Sequence, residues 1–452
     1  MAQANVLVVM ADDARVDDFD HMTHLHERVG AMGTQMRRFY APGPLCSPNR
    51  STFLTGQYPH NTGVTNNRVG VRGLDDTQTI PTWLHAAGYT TSLVGKYING
   101  VDLTDPIPPG WDNWMVPGHG KTYDYESSEI NDNGTTRRLD VHTNLAYSLR
   151  AQNFIRSHLD RPWFQWVSFV SPHVGLPRER VDSPPIIGDA VGRVPTRRPG
   201  GMGHGPFVRE QYRNAFNGPT LPTNTDIGQY WTDEQLAEMR WLVQRRRDSL
   251  SDIDDQLDAM MTLLEETDQL ARTFIIVVSD NGFQYAEHGL RPGKDHPYEE
   301  SVRIPCFISG PGIRQGYQHT GMSGMMDLAP TILQMTGAWG SRPSTHRFDG
   351  TSMLRRISDP EQGAQGRDRV ILLESGDNDS GVGWSWRGLV TRNRKFVEFV
   401  DGPRMMFDLE LDPHENNNLT PVRPAEVNQL KDVLTQMKPC AGDNCDVRAQ
   451  VV

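Results

Sequence analysis

No apolar run in these 452 residues approaches the roughly 20 positions a helix needs to cross a bilayer, so no membrane span is expected. Positive charge is scarce. Lys and Arg number 45 against 56 Asp and Glu, and the net charge of −11 argues against a nucleic-acid-binding surface as the main role. An anionic small molecule stays allowed, because a local cationic pocket can sit within an acidic protein. Cysteine is rare as well, with four in the chain and no Cys/His cluster at zinc spacing. Cys440 and Cys445 flank the short loop Ala441-Gly442-Asp443-Asn444 and read as a local disulfide, which implies an oxidising compartment. The alternative is two free thiols on the tail. Cys306 lies in an apolar segment and reads as core. Met1–Ala4 leads straight into an apolar run, without the charged segment and apolar core of a secretion signal. Either the protein is intracellular or an export signal has been removed. The cysteine pair favours an exported protein, periplasmic or extracellular, with the cytoplasm as the alternative. Internal repeats and low-complexity segments are missing too.

What is present is an α/β pattern. Asn5–Met10 and Thr273–Ser279 are continuous apolar, β-branched runs, the look of strands buried on both faces. Between them the spacing predicts a helix over 80–88, a strand over 90–94, a helix over 142–159 and a strand over 163–170. A long helix then runs to about Glu266, with Thr232 as N-cap and Gln235 completing a capping box. Residues 174–230 are rich in Pro, Gly and Arg and lack periodicity, which reads as a substrate-side insertion. From about Ser341 short strands come close together (370–373, 388–391, 395–400, 405–408), followed by a helix over 424–437. The expected architecture is a large central, mostly parallel sheet flanked by helices, with a smaller C-terminal antiparallel sheet plus helix. The expected division is 1–340 and 341–452.

The chemistry gathers at strand ends and one helix tip. Asp12-Asp13 ends the first buried strand and Asp280-Asn281 ends the later one. Adjacent buried carboxylates are costly unless solvated, paired or bound to a cation. If the two strands lie side by side, four hard oxygen donors surround one point, which favours Ca²⁺, with Mg²⁺ second. The stretch Leu45–Gly56 reads as a short helix, with Pro48 in its first turn and Gly56 just past its end. Cys46 then sits at the N-terminus, where backbone N–H groups favour an anion, and Arg50 follows one turn later. A lone cysteine is far more often a small apolar residue than a reactive one.

The run Cys46-Ser47-Pro48-Asn49-Arg50, continuing to Thr55-Gly56-Gln57-Tyr58, resembles the signature of the type I sulfatases of the alkaline phosphatase superfamily. In that family a maturation enzyme oxidises this cysteine to Cα-formylglycine, an aldehyde. Gly88–Lys96 resembles the second family signature, Ser171-Pro172-His173 the histidine block, and Gly293-Lys294 with Tyr298-Glu299 and Arg303-Ile304-Pro305 the lysine block. The resemblance implies that Asp12, Asp13, Asp280, Asn281 and the modified Cys46 hold a divalent ion, commonly Ca²⁺. It also implies catalytic roles for Cys46, Arg50, Lys96, His173 and Lys294, with His173 as general acid.

Two positions depart from the family pattern. Asn49 stands where a small residue, most often serine, is usual. Gly95-Lys96-Tyr97-Ile98-Asn99 lacks the histidine of the common Gly-Lys-Trp-His form. The chain's histidine-free Gly95–Asn99 form, with Pro59-His60-Asn61, Thr65-Asn66-Asn67 and the block Phe407–Glu410, resembles the N-acetylglucosamine-6-sulfatase and endosulfatase branch. The implied activity is hydrolysis of a sulfate monoester, on a sugar or another small molecule. The rivals are a phosphate or phosphonate monoester hydrolase on the same fold, and a non-catalytic sulfated-glycan binding protein with unmodified Cys46.

Overall fold

The computed structural model describes residues 3–177, 205–216, 220–221, 231–362 and 368–448. Most of the Pro/Gly/Arg-rich stretch read as an insertion lies outside the described residues. The strands in chain order are β1 (Asn5–Ala11), β2 (Gly33–Met36), β3 (Phe39–Tyr40), β4 (Thr90–Gly95), β5 (Asn113–Pro117) and β6 (Glu129–Asp132). They continue with β7 (Thr135–Arg138), β8 (Trp163–Ser168), β9 (Thr273–Ser279), β10 (Cys306–Ser309), β11 (Tyr317–His319) and β12 (Ser323–Gly324). The last four are β13 (Ile371–Gly376), β14 (Trp384–Val390), β15 (Arg394–Phe399) and β16 (Arg404–Asp408).

Ten strands form one sheet in the order β11-β2-β10-β9-β1-β8-β4-β5-β6-β7. Its centre, β9-β1-β8-β4-β5, is parallel throughout, while β10, β6 and β7 join by antiparallel pairing. Every residue of β1 and β9 is buried, as continuous apolar runs in a doubly covered sheet must be. Alternation then divides the core. Val6, Val8 and Met10 face one layer with Phe53, Leu54, Trp83 and Ile332, from helices Cys46–Thr55, Ile80–Ala86 and Leu328–Met335. Leu7, Val9 and Ala11 face the other layer with Tyr147, Phe154, Ile253 and Leu257, from helices Thr143–Ser157 and Asp233–Glu266. The long helix starts as read, with Thr232 Oγ1 accepting from the Gln235 N–H at 3.3 Å.

The register decides where the chemistry sits. Ala11 pairs with Ser279, Met10 with Ser168, and Gly95 with Ser168. The carboxyl ends of β9, β1, β8 and β4 are therefore level, which is where ligands collect in open α/β sheets. The strand expected to reach Val170 stops at Ser168, and the Phe169 N–H makes the last ladder bond, to the Met10 carbonyl at 2.9 Å. Gly95 allows the closest crossing. Its φ is +100°, and a Cβ there would lie 2.0 Å from the Ser168 carbonyl oxygen. Only glycine lets the chain pass over β8 and present Lys96. A strand over 306–308 is legible in the sequence and appears as β10, but its antiparallel direction is not, and the hairpin β6–β7 was not read because its short strands carry no long apolar run.

The order β13-β14-β15-β16 is a separate antiparallel sheet, packed on the helix Pro424–Met437 through Leu372, Trp386, Phe396, Leu430 and Leu434. Phe348, Met353 and Ile357 pack in the large-sheet core. Cys440 and Cys445 form the disulfide read from their spacing. The Cys440 carbonyl accepts from His60 Nε2 and Asn61 Nδ2, both at 2.8 Å, which ties the C-terminal loop to the segment after the Cys46 helix. Arg369, just before β13, donates from Nη1 to both oxygens of Asp327 at 2.8 and 2.6 Å, with both side chains buried. Removing one member of such a pair leaves an uncompensated buried charge. Arg369→Met should therefore cost about 3–5 kcal/mol in urea unfolding, and a loss below about 1 kcal/mol would mean the pair does not hold the small sheet in place.

Candidate active site

Asp12 and Asp13 follow β1 directly, and Asp280 and Asn281 follow β9. Because the two strands are neighbours, these pairs face each other. The Asp280 N–H donates to the Ala11 carbonyl at 3.1 Å, the Asp13 N–H to Asp280 Oδ1 at 3.0 Å, and Asn281 Nδ2 to Asp13 Oδ1 at 2.7 Å. Asp13 takes a positive φ of 70°, one of the few non-glycine residues to do so. Its carbonyl accepts from Arg246 Nη2, whose Nη1 donates to the Pro172 carbonyl at 3.0 Å. The long helix thus braces both the aspartate turn and the loop before His173.

Cys46 opens the helix Cys46–Thr55, which Gly56 ends in the left-handed conformation at φ 71°. Its Sγ lies 3.4 Å from Asp12 Oδ1 and 3.8 Å from Asp13 Oδ1. One donor atom from each of Asp12, Asp13, Cys46 and Asp280 falls within 4.8 Å of those of the other three. Asp13 Oδ2 and Asn281 Oδ1 are buried without a hydrogen-bond partner. Buried oxygens left this way are expensive unless something else meets them. The donor set fits a hard divalent cation.

Three cations complete the cluster. Arg50 Nε donates to Asp280 Oδ2 at 2.8 Å, and its Nη1 to the Lys96 carbonyl at 2.8 Å and to Ser168 Oγ at 2.7 Å. Its Nη2 is buried without a hydrogen bond, 3.8 Å from Asp12 Oδ2. Lys96 Nζ is 2.5 Å from Asp12 Oδ2. Lys294 Nζ pairs with Asp13 and lies 2.8 Å from Cys46 Sγ. His173 Nδ1 is 2.7 Å from the Val174 carbonyl, and its Nε2 is 3.6 Å from Asp13 Oδ2. All nine residues singled out from the sequence therefore meet at one place.

Their electrostatics interlock. Burial alone would raise Asp13, but Lys294 and His173 overcome it and hold the carboxyl at about 2. Asp12 is lowered by the same contest between burial and Lys96 with His173. Burial disfavours both ammonium groups, and the facing aspartates override it, so Lys96 and Lys294 stay charged. Burial and then Asp12 push the Cys46 thiol up, so the unmodified side chain is a neutral thiol and a poor nucleophile. Burial lowers His173, against the pull of Asp13 and Asp12.

The departure at Asn49 has a local purpose. Its side chain accepts from the Gly43 N–H at 3.2 Å and donates to the Gly43 carbonyl at 2.8 Å, pinning the loop ahead of Cys46. Ile98, buried, stands at the position of the usual histidine, and the next residue, Asn99, has its N–H on Ser47 Oγ at 3.3 Å. Sequence reasoning missed Arg246 and Tyr123. Three consecutive arginines, Arg245–Arg247, in an amphipathic helix must place at least one toward the buried face, so Arg246 carried a signal. Tyr123 carried none; it reaches the site from a loop, stacked on His173 at 4.1 Å between ring centroids. Beside Lys294 a cavity of about 680 Å³ opens toward the small sheet, lined in part by Arg291, Asp295, His296, Trp384 and Trp386.

Comparison with known proteins follows this geometry. The profile of the sulfatase family matches residues 4–338. A putative extracellular sulfatase Sulf-1 homolog of Caenorhabditis elegans is 29% identical over 375 residues, covering 79% of this chain and 49% of that protein. The chain thus spans about half the length of that relative. The N-acetylglucosamine-6-sulfatase of Capra hircus is 25% identical over 505 residues, covering 98% of this chain and 84% of the relative. Among solved structures, BT4656 in complex with its substrate D-glucosamine-2-N,6-O-disulfate superposes with a TM-score of 0.77 at 20% identity, covering 96% and 97% of the two chains. That likeness speaks for the fold, and the family match over most of the chain decides the rest: this chain belongs to the sulfatase family.

Proposed function

We propose that the protein hydrolyses sulfate monoesters of a carbohydrate, using residue 46 after its conversion to formylglycine and a divalent ion held by Asp12, Asp13, Asp280, Asn281 and residue 46. The observation that carries this reading is the convergence of three buried cations and four oxygen-bearing side chains on the tip of one helix. Converted to the aldehyde hydrate, residue 46 would supply the hydroxyl for attack on sulfur, and the ion, Ca²⁺ before Mg²⁺, would supply positive charge beside it. Three cations already balance three carboxylates, so a bound divalent ion leaves the pocket positive and suited to an anion.

The chain's own groups perform the remaining work. Lys96 and Lys294 face residue 46 from opposite aspartates and bind the non-bridging oxygens of the ester. Arg50, locked by Asp280, Ser168 and the Lys96 carbonyl, orients residue 46 and keeps the site from collapsing. His173 spends Nδ1 on the Val174 carbonyl, which leaves Nε2 for the substrate. An anionic ester beside it favours the protonated imidazole, which then passes its proton to the departing alcohol oxygen. The S–O bond to that oxygen breaks, the alcohol keeps its own oxygen, and the sulfo group passes to residue 46, from which sulfate would leave by C–O cleavage as the remaining hydroxyl re-forms the aldehyde.

The sugar reading is supported by the cavity beside Lys294, where the half-buried Trp384 offers aromatic surface and Asp295 and His296 offer polar groups. It is supported as well by the substrates named for the relatives. Cys46 has no exposed surface, so a maturation enzyme must reach it before this helix packs. The disulfide and the extracellular relatives support an exported protein. No helix among the described residues is long and apolar enough to cross a membrane.

Two outcomes test this. Cys46→Ala should lower sulfate release by about 1,000-fold or more, as loss of a covalent nucleophile does, and mass spectrometry of the wild-type peptide should show aldehyde in place of thiol. Full turnover in Cys46→Ala would leave another hydrolase reading, and an unmodified Cys46 peptide in a protein that releases no sulfate would leave the binding-protein reading. Chelation should abolish activity, with Ca²⁺ restoring it. Asp280→Ala should bind Ca²⁺ at least about 10-fold more weakly by calorimetry; unchanged affinity would place the ion elsewhere.

A further inference from the structure

We infer that Tyr123 is a positioning residue, whose ring fixes the plane of His173 for proton transfer to the leaving oxygen. This rests on the hydrolytic reading above. Tyr123 lies in the loop between β5 and β6, and its ring stacks on the His173 imidazole at 4.1 Å between centroids and 16° between planes. Lys96 Nζ lies 5.0 Å from the centre of the same ring, within reach of its electron-rich face. One ring thus touches both the acid and one of the anion-binding cations.

The imidazole has little else to set its tilt. Nδ1 has the Val174 carbonyl, while Nε2, at 3.6 Å from Asp13 Oδ2, is beyond a hydrogen bond. A ring anchored at one corner swings unless a face is blocked, and Tyr123 blocks that face. The two loops are zipped together, so ring and imidazole hold a fixed relation. Leu176 N–H donates to the Tyr123 carbonyl at 2.7 Å, Tyr125 N–H to the Leu176 carbonyl at 2.7 Å, and Tyr125 Oη to the His173 carbonyl at 2.6 Å. Gly175 permits this approach, since a Cβ there would lie 2.4 Å from the Tyr125 ring and 2.5 Å from the Tyr123 carbonyl oxygen.

The effect belongs to the ring and not to the hydroxyl. Among the described residues the Tyr123 hydroxyl has no hydrogen-bond partner. Burial pushes the phenol to about 12, with Lys96 pulling against it, so the group is neutral and presents a face rather than a charge. A displacement of a proton donor by about 1 Å can cost about 100-fold in rate. That loss falls on esters whose alcohol must be protonated as it leaves.

The test uses the matured protein and three kinds of substrate: a sugar 6-sulfate, a phenyl sulfate and a nitrophenyl sulfate, whose anion leaves unaided. Tyr123→Phe should stay within about 3-fold of wild type on all three, since the hydroxyl has no partner among the described residues to lose. Tyr123→Leu should lose about 100-fold in kcat on the sugar sulfate and under about 5-fold on the nitrophenyl ester, with KM nearly unchanged. Tyr123→Met, which keeps bulk without a ring face, should behave like Tyr123→Leu and serves if that variant does not fold. In a His173→Gln background, adding Tyr123→Leu should cost little more, because the residue acts through His173. An equal loss on all three esters, a loss in Tyr123→Phe matching that in Tyr123→Leu, or full additivity with His173→Gln would each overturn the inference while leaving the hydrolytic reading intact. A wild-type protein that releases no sulfate, or a fully active Cys46→Ala, would overturn both.

Discussion

Three carboxylates at one sheet edge, with no solvent to screen them, are the constraint on which this structure depends. Asp12, Asp13 and Asp280 are completely buried. Such a group would repel itself apart or take up protons if nothing opposed it. Arg50, Lys96 and Lys294 oppose it from three different segments, a helix tip and two strand-end loops, and each pays its own desolvation only because the aspartates are there. Neither half is stable in that place without the other. The fold therefore assembles the anion site and the cation site in one act.

The level ends of four parallel strands make this possible. Register places Ala11, Ser279, Ser168 and Gly95 side by side, so the residues that follow each strand emerge at one height. Supports behind them are rigid. Arg246 from the long helix holds the carbonyls of Asp13 and Pro172, and Ser279 Oγ accepts from the Ala14 N–H at 2.9 Å. On the open side, the small sheet contributes the partly exposed Trp384 to the cavity beside Lys294. The large sheet thus carries the reacting centre, and the later segment shapes what can approach it.

Much of this could be read before any coordinates. Buried-type strands ending in Asp-Asp and Asp-Asn are explicit, because a doubly covered strand has a continuous apolar signature and a carboxylate at its end stands out. Pro48 and Gly56 bracket the Cys46 helix by backbone preference alone. The disulfide follows from a short loop between two cysteines. Apart from Arg246, what escaped had no local signature. The β6–β7 hairpin is short, and Thr135–Arg138 is exposed. Tyr123 acts from an irregular loop, brought to His173 by pairing with Leu176, and tertiary pairing of loops leaves no periodicity in a sequence. The role of Asn49 was likewise hidden, since its partner is the backbone of Gly43.

The claim at the centre is that this constellation breaks the bond between sulfur and the alcohol oxygen. Hydrolysis of a sugar sulfate in ¹⁸O-labelled water reads that bond directly. The account predicts the label in the released sulfate and none in the sugar alcohol. Label in the alcohol would show attack at carbon and contradict it.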